Sequence, residues 1–197
     1  MENRLVIHIP TVKLNHHATI EDRLAWVSRI DQVIDGRLDR KGIVHVTSYA
    51  RRDFLMDHSR FKHLMLTHNT DNIQSSVQKF KVAPAPMIMV SPAMTEGQDF
   101  PEEECRYIII GKVPFLDTRD PLTAARAAAD KEWSNYETMQ VVVQSAGRGN
   151  RKVEDKCEII IVDDDWVWFW RHNKHFSPGW FQEAVRFEPM LPTAIRL

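Results

Sequence analysis

The sequence predicts an α/β protein with a mostly parallel central sheet and helices on both faces of that sheet. Two observations lead to this fold class. Short strand-like segments alternate with helix-like segments along the chain, which is typical of parallel strands joined by crossover helices. Several strand-like segments, such as "RYIIIGKV" (106–113), are also apolar at nearly every position. Such runs indicate strands that are covered on both faces.

Each predicted element has a local signal of its own. The strand candidates are short apolar segments, at residues 4–9, 42–50, 62–68, 86–91, 106–113 and 157–165. The helix candidates have apolar residues at helical spacing or a recognisable start, at residues 20–38, 51–59, 71–82, 120–133, 135–150 and 177–187. The aromatic segment "WVWFW" (166–170) is interpreted as core or as a lid over the sheet edge.

Composition and charge limit the class of protein. The chain has 197 residues, of which 43% are hydrophobic and 27% charged, so one globular domain over residues 1–197 is predicted. The net charge of −1 excludes a general electrostatic attraction to nucleic acid or to an anionic membrane. Any contact with nucleic acid must therefore come from local patches.

Cysteine usage and hydropathy predict a cytoplasmic protein without a membrane partner. Cys105 and Cys157 are too few for a disulfide framework, and both precede apolar runs, so buried free thiols are expected. The N-terminus lacks the apolar region of a signal peptide, and no run of about 18 apolar residues exists that would span a membrane.

The segment "QSAGRGNR" (144–151) is the first candidate for a site. Its polar residues Gln144, Arg148 and Arg151 follow a four-then-three spacing, which places them on one face of a helix. Two guanidinium groups together can bind phosphate oxygens, and Gly147 would leave room for a ligand. The alternative is a solvated helix face.

Two further segments follow predicted strands and suit nucleic acid. In "VTSYARR" (46–52), Thr47 and Ser48 end a strand and Arg51 lies at a helix start, which suits a phosphate but also an ordinary helix cap. In "GKVPFLDTRDP" (111–121), Lys112 and Phe115 could contact a phosphate and stack on a base. The alternative is core packing for Phe115 and solvent exposure for Lys112.

The acidic segments are less specific. In "TEGQDFP" (95–101), Gly97 could fix a loop whose Glu96 and Asp99 accept hydrogen bonds from a sugar hydroxyl or an arginine, although a plain polar turn fits as well. Residues 163–165 are three aspartates that suit a divalent ion, or equally a strand end exposed to water. His172 and His175 are interpreted as a surface pair, and no metal site is predicted.

Some motifs of nucleotide-hydrolysing enzymes are absent from the sequence. There is no GxxxxGK[ST] phosphate loop, no GxGxxG turn at a strand end and no nucleophile with an adjacent base. An unrelated hydrolase or phosphatase is therefore disfavoured. The chain alone is also expected to lack ATPase activity.

The order of these segments is similar to that in the second motor domain of superfamily 2 helicases, and within these it resembles the Rad3/XPD–DinG group. The resemblance covers residues 40–187. It is carried by Ser-Tyr after the second predicted strand, then by the segments at 95–101, 106–115 and 144–151. Gln98, Gly149 and Asn150 depart from the group's pattern.

The resemblance implies a three-layer RecA-like fold and a role in an ATP-driven DNA motor that moves 5′ to 3′. ATP with Mg²⁺ would bind between this domain and a first RecA-like domain, which holds the Mg²⁺ ligands and, in many members, an iron–sulfur cluster. Arg148 and Arg151 would be arginine fingers. The other implied nucleotide-site residues are Gln144, Glu96, Gly97 and Asp99, and those near single-stranded DNA are Thr47, Ser48, Arg51, Thr95 and Lys112. The alternative function is a non-catalytic RecA-like module that binds nucleic acid or a protein.

Overall fold

The described strands form one seven-stranded parallel sheet, which confirms the predicted fold class. The computed structural model describes residues 5–92, 100, 102–147 and 156–194. The strands in spatial order are β3 (Met65–Thr67), β4 (Ile88–Ser91), β2 (Gly42–His45), β5 (Tyr107–Ile110), β6 (Glu158–Ile161), β1 (Val6–His8) and β7 (Val185–Phe187). Every neighbouring pair is parallel.

Seven α-helices accompany these strands in the described part of the chain. They are α1 (Ile20–Asp35), α2 (Tyr49–His58), α3 (Ile73–Val82), α4 (Pro121–Ala129), α5 (Trp133–Gly147), α6 (Asp165–Asn173) and α7 (Gly179–Ala184). No helix among the described residues is long and apolar enough to cross a membrane.

Near the C-terminus, the core interpretation of "WVWFW" is confirmed for two of its residues, and one predicted helix differs from the structure. The segment "WVWFW" lies within α6, where Trp166 and Phe169, three residues apart, are both buried in the core. The predicted closing helix over 177–187 is a short α7 followed by strand β7, because Val185 pairs with Val6 of β1.

Two cores lie on opposite faces of the sheet, and successive residues of one strand alternate between them. Ile108 and Ile159 belong to the core under α3, α5 and α6, whereas Ile109 and Ile160 belong to the core under α1 and α2. A strand between two helical layers has no polar face. This explains the continuous apolar runs of β5 and β6.

The amino edge of the sheet, where its strands begin, is closed by buried polar contacts. Arg37 donates to both carboxylate oxygens of Glu158 at 2.8 and 2.9 Å, and each side chain is 1% exposed. Lys41 Nζ donates to the carbonyls of Phe80 and Lys81 at the end of α3. Gly42 lies against the Tyr107 ring, where a Cβ atom would stand 2.1 Å from a ring carbon.

The parallel topology fixes which helix ends meet at which edge. A helix that joins two parallel strands of one sheet must return the chain from the carboxyl end of the first strand to the amino end of the second. Helices α1, α2 and α6 therefore begin near the carboxyl edge of the sheet, and α5 ends towards the amino edge. Gln144 on α5 and the predicted site residues after β2 consequently lie towards opposite edges.

Candidate functional site at two edges of the sheet

The turn between β2 and α2 brings together three residues that the sequence assigned to nucleic-acid binding. Ser48 caps α2, because its hydroxyl accepts a hydrogen bond from the Arg51 amide at 3.3 Å. The Arg51 guanidinium donates to the Thr47 hydroxyl at 3.3 Å and to the Leu14 carbonyl at 3.2 Å. Thr47 has a φ of 57°, a left-handed conformation that is unfavourable for a β-branched residue. Such strain is often found at functional sites.

The charge of Arg51 is not neutralised by a nearby carboxylate. Within the described ranges, neither Arg51 nor the neighbouring Arg23 has a carboxylate oxygen within 4.0 Å. Burial lowers the pKa of Arg51. The more distant charge of Asp163 raises this pKa, and the charge of Arg23 lowers it further. Because an arginine stays charged even so, this corner of the carboxyl edge can attract an anion.

Lys112 occupies a different environment from the one that the sequence suggested. It is 7% exposed, and its ammonium donates to Asp163 at 2.8 Å and to Asp165 at 2.5 Å. Asp163 is 0% exposed and also accepts from the Val113 amide. Lys112 is therefore not a solvent-exposed cation, and Asp163 is not at a water-exposed strand end. The contact of Lys112 with nucleic acid stays a prediction.

Phe115 keeps part of its ring accessible above this charged group. The ring is 41% exposed, and its edge meets Phe169 of α6 at a centroid distance of 5.4 Å. Lys112 Nζ lies 5.4 Å from the Phe115 centroid. Phe115 is thus neither fully packed in the core nor free of it, and the exposed part of the ring remains available for stacking.

The predicted nucleotide side is described only at α5. Gln144 is exposed, whereas its neighbours Ser145 and Ala146 are buried, so the helix presents Gln144 to solvent. A Cβ atom on Gly147 would meet nothing within 4 Å, so the space beside this residue is open. Six predicted residues lie outside the described part of the chain, namely Thr95, Glu96, Gly97, Asp99, Arg148 and Arg151.

The residue after Asp99 is part of the core. Phe100 is fully buried, and its ring meets Phe80 of α3 edge-on at 5.7 Å. Lys81 Nζ lies 5.3 Å from the Phe100 centroid. The apolar residue of "TEGQDFP" therefore packs beside the end of α3, on the amino side of the sheet.

The structure supports the prediction of buried thiols and offers no metal site among the residues it describes. Cys105 and Cys157 are both free and buried. Two causes raise the pKa of Cys157 well above its usual value. The larger is a hydrogen bond with Cys105, and the second is burial. The described residues contain no group of three or more potential metal ligands. His172 Nδ1 instead contacts the Trp168 carbonyl.

A cavity at the carboxyl edge was not predicted. Residues 9–19, called here the edge strap, run along this edge, held by a hydrogen bond from the Thr11 amide to Asp164 and by the bond from Arg51 to Leu14. Between the strap and the starts of α1 and α2 lies a cavity of about 190 Å³. Because residues far apart in sequence form it, no local motif indicated it.

Comparison with known proteins gives a consistent picture. A family model described as "Helicase C-terminal domain" matches residues 36–183. No curated protein matched in a sequence search. Among solved structures, an XPD helicase has 16% identity and a TM-score of 0.69, with 94% of this chain and 35% of that chain covered.

Two other solved structures support the same fold. Xpd4 of S. tokodaii has 11% identity and a TM-score of 0.65, with coverage of 93% of this chain and 38% of that one. Domain 2 of the DEAD-box helicase Mss116p, bound to an RNA duplex, has 14% identity and a TM-score of 0.60, with coverage of 95% and 65%. The chain thus spans little more than a third of the two XPD-type structures. These similarities confirm a RecA-like fold.

Proposed function

The chain belongs to the helicase C-terminal domain family, and we propose that it acts as the second motor domain of an ATP-dependent DNA helicase. In this role it supplies one wall of an ATP site between two RecA-like domains and part of the track for single-stranded DNA. The observation that carries the proposal is that Gln144 lies on α5, which ends towards the amino edge of the sheet, whereas Thr47, Ser48 and Arg51 lie at its carboxyl edge. A motor domain needs two such sites, because it must couple nucleotide hydrolysis to movement along nucleic acid.

The nucleotide side of the proposal centres on the end of α5. Arg148 and Arg151 act as arginine fingers, and the residues proposed to surround the nucleotide with them are Gln144, Glu96, Gly97 and Asp99. The exposure of Gln144 and the open space at Gly147 are compatible with a ligand there. The Mg²⁺ ligands, and an iron–sulfur cluster where one exists, belong to a first RecA-like domain in the same or a separate chain.

The nucleic-acid side of the proposal lies at the carboxyl edge. Single-stranded DNA contacts the hydroxyls of Thr47 and Ser48 and the guanidinium of Arg51, with Thr95 and Lys112 as further contacts. The uncompensated charge of Arg51 beside the start of a helix supports a phosphate at this position. The preference for DNA and movement from 5′ to 3′ rest on the resemblance to the XPD–DinG group.

The decisive experiment adds the first motor domain and measures DNA-stimulated ATP hydrolysis. We expect Arg148→Ala and Arg151→Ala each to lower the rate by about 10³-fold or more, since an arginine finger contributes about 10³–10⁵ to phosphoryl transfer. Arg119→Ala is the matched control, because Arg119 is exposed and pairs only with Asp117 among the described residues. A rate that survives both finger substitutions would remove this role.

Two further measurements separate the proposal from its alternatives. The 197-residue chain alone should show negligible ATPase activity. Robust hydrolysis by it would contradict the proposal that this chain supplies only one wall of the ATP site. Binding of single-stranded DNA and RNA of the same length distinguishes the two substrates. Nucleic-acid binding without hydrolysis, even after the first domain is added, would instead support a non-catalytic module.

A further inference from the structure

The cavity at the carboxyl edge lies beside the residues proposed to hold DNA phosphates. One side is formed by the edge strap and α1, and the other by the start of α2. The residues that line the cavity include Leu14, Ala18, Arg23, Ser48, Arg51 and Phe54. The first three precede residues 36–183, so the family match does not cover them. The volume of the cavity, about 190 Å³, is several times that of a water molecule.

The lining of the cavity combines cations with an apolar floor. Arg23 and Arg51 supply two guanidinium groups, and Leu14 and Phe54 supply apolar surface. The indole of Trp26 also lines the cavity, and its N–H is satisfied by the Gly111 carbonyl at 2.8 Å. A ligand that matches this lining has a flat or apolar body attached to an anionic group.

The two sides of the cavity form a slot for a flat ring. The Arg23 guanidinium carbon stands 6.0 Å from the Phe54 ring centroid, which is the outer limit of a cation–π contact. His58 already stacks on Phe54 at 4.1 Å but does not line this cavity. The accessible face of Phe54 is therefore the one that faces the slot.

The slot is slightly narrower than an inserted ring requires. A ring needs contacts of about 3.5 Å on each side, or about 7 Å in all. Arg23 is exposed on α1 and has no salt bridge in the described part of the chain, so a shift of about 1 Å needs no other contact to break.

From this geometry we infer that the cavity is a subsite for one base of single-stranded DNA. The base leaves the stack and lies between Arg23 and Phe54, while its phosphate is held by Ser48 and Arg51 at the start of α2. The inference rests on the nucleic-acid side of the proposed function and adds to it a single stacking position. Because every base has a π face, this position tolerates any sequence.

The test compares a normal strand with a strand that has no bases. Fluorescence anisotropy measures the affinity of the 197-residue chain for a labelled single-stranded thymidine oligonucleotide and for an abasic strand of equal length. We expect the base-containing strand to bind at least about 5-fold more tightly, since stacking on an aromatic side chain contributes about 1–3 kcal/mol per base.

Two variants test whether the preference for the base-containing strand arises in the cavity. Ala50→Phe fills the cavity from the exposed first turn of α2, and Phe54→Leu removes the stacking face, so both should lower the preference to about 1–2-fold. Ala128→Phe makes the same substitution at an exposed position of α4 and should keep the wild-type preference. Thermal melting verifies that each variant is folded.

The possible outcomes are distinct. Equal affinity of the wild type for both strands would overturn the base subsite and leave phosphate binding at the carboxyl edge intact. A preference that survives both Ala50→Phe and Phe54→Leu would place the stacking elsewhere, and would also overturn the subsite. Failure to bind either strand would remove the nucleic-acid contact of the proposed function, and the subsite with it.

Discussion

The two edges of the sheet treat their charged residues in opposite ways. At the amino edge, the buried Arg37 is matched by Glu158, and Lys41 is matched by the last carbonyls of α3. At the carboxyl edge, Arg23 and Arg51 have no carboxylate partner among the described residues and line a cavity instead. Among these described residues, the arginine of the amino edge has a carboxylate partner, whereas the two arginines of the carboxyl edge have none.

The difference shows which charged residues indicate a site. A buried and fully bonded pair leaves no donor for a ligand, and removing one partner strongly lowers the free energy of unfolding. Cations that face a cavity, beside a strained residue such as Thr47, retain donors that the fold does not use. Lys112 stands between these cases, because it lies at the carboxyl edge but is bonded to Asp163 and Asp165.

The largest expected effect concerns the ion pair at the amino edge. Arg37→Met removes the two-bond partner of the buried Glu158, leaving the longer contact with Arg40 at 3.9 Å, and should lower the free energy of unfolding by about 3–5 kcal/mol, measured by urea denaturation. Arg119→Met removes an exposed pair and should leave the free energy of unfolding nearly unchanged. The double variant Arg37→Met, Glu158→Leu should recover most of the loss. An effect of Arg37→Met no larger than that of Arg119→Met would contradict the claim that the fold depends on the buried pair at the amino edge.

A smaller effect is expected at Lys112, where the comparison can be sharpened. Lys112→Met leaves the buried Asp163 carboxylate without its cation and should cost about 2–3 kcal/mol of stability. Asp163→Asn in the same chain should restore part of it. If Lys112 serves only the fold, the salt dependence of DNA binding stays the same. If it contacts a phosphate, the slope of log affinity against log salt concentration falls by about 1 in Lys112→Met. Lys112 would then resemble Arg23 and Arg51 as a cation that is available to a ligand.

The smallest expected effect is at Thr47. Thr47→Gly relieves the left-handed backbone at φ 57° and should raise the free energy of unfolding by about 0.5 kcal/mol, since the relief is partly offset by the greater freedom of glycine in the unfolded chain. Affinity for single-stranded DNA should fall because a hydroxyl is lost. Thr123→Gly in α4 should destabilise the protein by up to about 1 kcal/mol. Destabilisation by Thr47→Gly would mean that the strain is not released.

The sheet was predictable because each central strand carries its own apolar signal. β5 and β6 are covered on both faces, so their sequences are apolar throughout. β7 was missed because its three residues follow directly on α7, and only pairing with β1 makes them a strand. The aromatic residues of α6 give no polar face from which a helix could be recognised.

The site was predictable only where its residues are close in sequence. Thr47, Ser48 and Arg51 form one turn, and the structure brings them together as expected. The pairing of Lys112 with Asp163 was missed, although a signal existed. Ile110 lies opposite Ile161, so Lys112 and Asp163, each two residues further on, leave neighbouring strands at the same level. The cavity could not be foreseen, because it depends on the path of the edge strap.

The position of β1 has a consequence for how the polypeptide folds during synthesis. Among the described strands, β1 is made before the other six, yet its partners in the sheet are β6 and β7, with Val6 opposite Ile159 and Val185. Contacts between such distant parts of a chain form slowly, and a ribosome adds only about 5–20 residues per second. β1 must therefore wait roughly 10–30 seconds for its partners. During that interval its apolar residues depend on chaperones or on transient contacts, so an early pause in translation should favour aggregation.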